Sequence, residues 1–152
     1  MALRVGLGGG VLMAKISFPG LRDYELRLSR LGDQAPSIIG KAVYAGADIV
    51  ADAVRSGIKG LPERSGVTKR GLEDGFGISP MQDDSGYLNV KLGFDGYNAD
   101  GVPNVLMARV MESGTSKVPK HPFVRPAVNQ AKGAAEARMA EVIDEEIDKL
   151  MK

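Results

Sequence analysis

The sequence predicts an α+β fold: an antiparallel sheet containing a β-hairpin, packed against long amphipathic helices. Three observations carry that expectation. Leu88, Val90, Leu92 and Phe94 alternate with Tyr87, Asn89, Lys91 and Gly93, the period of a strand with one buried face. After Pro36, the residues Ile39, Val43, Gly46, Val50, Ala53 and Gly57 recur at the spacing of one helix face. After Pro126, the same spacing returns at Val128, Ala131, Ala135, Met139, Val142, Ile143, Ile147 and Leu150, with charge on the opposite face. Helices at both ends of a central antiparallel hairpin give α+β.

The elements follow in order. Residues 1–12 contain Arg4 and a glycine-rich apolar run through Gly8, Gly9 and Gly10. Glycines oppose the helix of a signal peptide and Lys15 stands where cleavage would fall, so this stretch reads as a flexible N-terminal extension. A phosphate-binding loop is not expected there, since the strand, helix and lysine of that motif are missing. One α+β domain is expected over residues 13–152. Lys15 to Phe18 reads as a short strand closed by Pro19-Gly20, and Leu21, Tyr24, Leu28 and Leu31 as a short amphipathic helix. Asp33 is the expected N-cap of the next helix, with Pro36 in its first turn. Its stripe of Ala42, Ala45, Gly46, Ala47, Ala51 and Ala53 is small enough for another element to approach closely, and Gly57 and Gly60-Leu61-Pro62 end it. Pro62 to Gly71 has no hydrophobic period and reads as a polar, basic loop. Phe76 and Ile78 begin the hairpin, and Asp83-Asp84-Ser85-Gly86 supplies turn chemistry. Val102 to Glu112 returns to helical spacing with Pro103 in its first turn, Gly114 stops it, and Pro126 opens the last helix.

Composition removes most chemistries. The chain has 152 residues, the size of one domain, and 20 Lys+Arg against 19 Asp+Glu give a net charge of +1, so bulk attraction to nucleic acid or anionic membrane has no support. With no cysteine and a single histidine, disulfides, thiolate metal sites, cysteine nucleophiles and multi-histidine cages are excluded. No run of about 18 apolar residues could span a bilayer.

The titratable side chains offer little chemistry. Asp83 and Asp84 lie in a turn and lack the calcium-loop pattern, while Glu141, Asp144, Glu145, Glu146 and Asp148 read as the solvated face of the last helix. His121 sits between Pro119-Lys120 and Pro122 with no Ser, Cys or second His nearby in sequence, and a surface or capping role outweighs catalysis. No catalytic, cofactor-binding or metal residue is expected. Arg64, Lys69 and Arg70 could meet phosphate or a protein partner, but only 5% of the chain is aromatic, which gives base stacking little to work with.

The segment Glu112 to Ala127 is the richest in information. Gly114 permits a sharp exit from a helix, three prolines fix an extended path, and Phe123 can anchor it apolarly. Glu112 and Arg125 flank the loop and could pair across it. Glu112, Gly114-Thr115-Ser116, Pro119 and Pro122-Phe123-Val124-Arg125-Pro126-Ala127 resemble the signature of the tail-component (tail-completion, head–tail joining) family of tailed bacteriophages. That signature is an acidic residue, an aromatic, Gly-Thr, then Pro-Phe-x-Arg-Pro-Ala. The order of elements from Met13 onward is similar too. Ser113 stands at the aromatic position, and the family's Pro-x-x-Thr-Gly-x-Leu segment corresponds to Pro62-Glu63-Arg64-Ser65-Gly66 with Leu72 displaced by an insertion.

The resemblance implies a non-enzymatic virion protein, assembled in the host cytoplasm, that forms a ring at the head-proximal end of the tail. A hexamer or dodecamer would be expected, bound to tail-tube, terminator or connector proteins, with passive contact at most to DNA passing through it. A tail-terminator or head-side adaptor ring is the alternative position, and a small DNA-binding module the alternative class. The residues expected at interfaces are Arg64, Lys69, Arg70, Glu112, Gly114, Thr115, Pro119, Pro122, Phe123, Arg125 and Pro126.

Overall fold

The computed structural model describes residues 4–8, 11–16, 32–62, 66–84 and 87–150. Its elements run β1 (Arg4–Gly8), β2 (Val11–Ile16), a 3-10 turn (Gly32–Gln34), α1 (Ala35–Lys59), α2 (Val67–Gly75), β3 (Phe76–Ile78), β4 (Gln82–Asp84), β5 (Tyr87–Phe94), α3 (Asn104–Ser113) and α4 (Val124–Leu150). The expected helix at Leu21 to Leu31, the end of the strand expected at Lys15 to Phe18, and Arg64 lie outside the described residues.

All strand pairs are antiparallel. β5 takes β2 on one side, through Ala14↔Leu92 and Ile16↔Val90, and β3 and β4 on the other, while β1 pairs β2. The fold is therefore α+β as expected, with helices packed on an antiparallel sheet. The flexible extension expected over residues 1–12 is corrected: β1 and the start of β2 form a hairpin there. Gly6 and Gly8 alternate with Val5 and Leu7, and the pairing that local glycine content argued against comes from β2, which is itself held by β5 far along the chain.

α1 and α4 lie antiparallel along most of their length, since Lys41 meets Glu146, Gly46 meets Met139, and Gly57 meets Phe123. A Cβ at Gly46 would fall 2.7 Å from Met139 Cγ, so glycine is what lets the helices approach at that level. The buried face of α1 is Ile38, Ala42, Val43, Gly46, Ala47, Val50, Ala51, Val54 and Ile58. The expected stripe is thus rotated slightly, with Ile39, Ala53 and Gly57 only half-buried at its margin. That face meets α4 through Val128, Ala131, Ala135, Met139, Ile143 and Ile147, and the sheet through Val90 and Leu92. Leu150 departs from its expected place and is 42% exposed.

Several local expectations change. Asp83 and Asp84, expected in a turn, lie in β4 opposite Leu88 and Tyr87, and the last helix, expected to open at Pro126, starts at Val124. Asp33 lies in the 3-10 turn, so Gln34 stands at the N-cap with no side-chain bond and Pro36 falls in the first turn. Pro62 to Gly71 is not one loop, because α2 starts at Val67 after Gly66, whose φ is 75°. Fully buried Leu72 and buried Gly71 dock this short helix, so packing overrides the low intrinsic propensity of Val-Thr-Lys-Arg-Gly.

One ion pair ties the far ends of the long helices together. Lys41 Nζ lies 3.1 Å and Lys149 Nζ 3.2 Å from Glu146, and the Lys41 hydrogen bond, then that of Lys149, holds the Glu146 carboxyl below its ordinary value. A lowered folded value means stability present above the unfolded value and lost as pH falls through the folded one. Lys41→Met is therefore expected to lower the thermal midpoint slightly at neutral pH and to match the wild type in strong acid. A pH series of melting curves checks it, and an offset that persists in acid excludes the pair as its cause.

Candidate interface

α4 begins with backbone N–H groups that have no intrahelical acceptor. They are met from another helix. Glu112, in the last turn of α3 and 7% exposed, accepts at Oε2 from the Phe123 and Val124 amides at 2.8 and 2.9 Å, and at Oε1 from the Arg125 amide at 2.9 Å. The expected side-chain pairing of Glu112 with Arg125 is corrected: Arg125 contributes its backbone, and its side chain is exposed. A buried carboxylate at a helix N-terminus also meets the positive end of the macrodipole.

The loop between these helices is pinned along its length. Gly114 leaves α3 at φ 74°, and a Cβ there would lie 2.9 Å from the Lys120 nitrogen and 3.0 Å from the Val118 oxygen, so no other residue fits without moving backbone. The Thr115 hydroxyl accepts from the amides of Lys117 and Val118, and the Thr115 amide donates to the Val118 carbonyl. The His121 amide donates to the Met111 carbonyl at 2.6 Å. Phe123 is 3% exposed and meets Phe94 edge-on with ring centroids 5.9 Å apart, so its anchoring role is that of a core residue. Thr115, Pro119, Pro122, Arg125 and Pro126 are exposed. The structure thus divides the expected residues into an inner set, Glu112 and Phe123, that fixes the loop, and an outer set that the loop presents.

Beside this loop lies an apolar cleft of about 180 Å³. Leu61, Pro62 and the start of α2 form one wall, α3 supplies Met107, Val110 and Met111, and Val118, Pro119 and His121 close the other side. Two segments singled out separately in sequence therefore face one another, with Lys69 and His121 both lining the cleft. Arg70 is not brought there; it lines a separate depression with Asp74, Tyr97 and Asn98.

Sequence reasoning missed Asn104. It is buried at the start of α3, donates from its side-chain amide to the Asp95 carbonyl at 2.9 Å and from its backbone to the Gly96 carbonyl at 3.0 Å. Its Oδ1 has no hydrogen-bond partner among the described residues. A Cβ at Gly71 or Gly75 would collide with this side chain, so that pair of glycines was the available signal.

Among the described residues no group of three or more His, Asp or Glu side chains is placed to hold a metal ion, and no helix is long and apolar enough to cross a membrane. Comparison with protein-family models, with curated proteins and with solved structures returns no match for this chain.

Proposed function

We propose that this chain is a structural protein of the phage neck, forming a ring at the head-proximal end of the tail that completes the tail and helps join it to the head. The reading starts from the resemblance of Glu112 to Ala127 to the tail-completion family. The observation that carries it is the clamp on that segment: the acidic position of the signature secures three successive amides of Phe123, Val124 and Arg125. Signature residues thereby have a physical reason to occur together, since the acid fixes the helix start and the Pro-Phe-x-Arg-Pro run supplies the docked ring and outward surface. A surface held this way loses little conformational freedom on binding. Repeated side-to-side contacts in a closed ring make modest interfaces collectively strong.

A tail-terminator or head-side adaptor ring is the alternative position in the neck. The direct test is complementation of the phage that lacks its own copy. Lys120 and Arg125 are exposed, so Lys120→Ala/Arg125→Ala is expected to fold with unchanged circular dichroism and thermal midpoint, and to leave heads and tails unjoined. Normal yields of infectious tailed particles from that variant exclude the loop as the joining surface.

A further inference from the structure

Charge is segregated along the proline-rich loop and α4, with cations gathered toward the start of the helix and acids toward its end. After the buried Glu112, which serves the first amides of α4, residues 113–135 carry Lys117, Lys120, Arg125 and Lys132 with no further acid. Residues 136–149 carry six acids and only Arg138 and Lys149 as cations. Lys41 from α1 joins the acidic end through Glu146, leaving a net charge there of −3. The helix dipole is met locally, by the Glu112 carboxylate at the start of α4 and by Lys149 in its last turn, so the wider segregation of charge is not accounted for by the dipole. Arg125 and Glu141 are about 24 Å apart along the helix, about three Debye lengths at physiological salt, and Arg138 beside Glu141 and Glu145 offsets only part of the acidic charge.

Each end also has an apolar feature. Leu150 is 42% exposed at the acidic end, and the cleft bordered by Met107, Val110 and Val118 opens at the basic end. We infer that the acidic end of α4 in one copy docks on the basic end of the next, with Leu150 entering the cleft and Glu141, Glu145 and Asp148 facing Lys117, Lys120 and Arg125. The two surfaces differ, so each copy keeps one unused surface and association proceeds until rotation closes the ring. This rests on the ring reading for its choice of a second copy as occupant, and it is measured without phage.

Sedimentation velocity on the full chain tests it. Wild type is expected to associate beyond a dimer at low salt and to dissociate at high salt. Lys117→Glu/Lys120→Glu/Arg125→Glu makes both ends negative, and Glu141→Lys/Glu145→Lys/Asp148→Lys makes both positive; all six positions are exposed. Each triple variant alone is expected to be monomeric, and an equimolar mixture to recover the large species, because every contact in an alternating assembly then pairs opposite signs. Leu150→Ser is expected to weaken association at least about tenfold with unchanged circular dichroism. A wild type that stays monomeric at low salt and millimolar concentration overturns the inference, as does a mixture that stays monomeric. Wild-type assemblies unaffected by either reversal remove this contact and leave the ring reading standing. Charge-driven assembly in a protein whose loop variant still joins heads to tails keeps the contact and removes the neck assignment.

Discussion

Glu112→Ala is expected to lower stability by about 3–5 kcal/mol, among the largest effects of any side-chain truncation in this chain. The carboxylate accepts from three consecutive amides within 2.9 Å, and Phe123 and Val124 are themselves buried, so water cannot replace it without opening the core. Alanine would strand those donors and leave the positive end of α4 uncompensated. Glu112→Gln keeps one acceptor oxygen and turns an N–H₂ toward the remaining donors, and is expected to recover less than half of the loss. Urea unfolding gives the energies. Hydrogen exchange locates them, with amides 123–125 losing protection in Glu112→Ala beyond the global change. Wild-type stability in the alanine variant would mean that the clamp is not what fixes the loop.

What could be read in advance follows the range of the forces involved. β5 was legible because Leu88 to Phe94 alternates strictly, and the faces of α1 and α4 because an apolar stripe repeats over many turns. Gly114 was legible as a stop, since a positive φ after a helix selects glycine. β1 was not, because Gly6 and Gly8 are locally unfavourable and the strand exists through β2, whose partner lies in β5, more than seventy residues on. α2 was missed for a similar reason: Leu72 is its one fully buried large side chain, too little to show a period. The signature residues were found, but the role of Glu112 was misassigned. Charge complementarity suggested the Arg125 guanidinium, whereas the geometry of a helix start offers three amides closer at hand. Asn104 gave no local signal, because its partners are carbonyls of the preceding turn and its neighbours are absent side chains at Gly71 and Gly75.

Val90→Asp and Lys91→Asp are one residue apart and are expected to differ by several kcal/mol. Val90 is fully buried in the core that α1, α4 and the sheet share, while Lys91, half-exposed, lies on the opposite face of β5. A carboxylate at position 90 would enter a region built from Val50, Val54, Leu92 and Ile143 among others, and must either remain charged without a partner or take up a proton. Either way about 4 kcal/mol or more is lost, a large fraction of the roughly 5–15 kcal/mol that holds a domain together. Asn89 next to it is equally buried yet tolerated, because its side-chain amide reaches toward the Gln82 carbonyl across the β4–β5 pair; no such acceptor or donor belongs to the apolar face. Lys91→Asp exchanges one solvated charge for another and is expected to stay within about 1 kcal/mol of wild type. Chemical denaturation of both variants decides which face of β5 meets the helices: a larger loss at Lys91 would mean that the two faces have been exchanged, and equal losses that neither packs against α1.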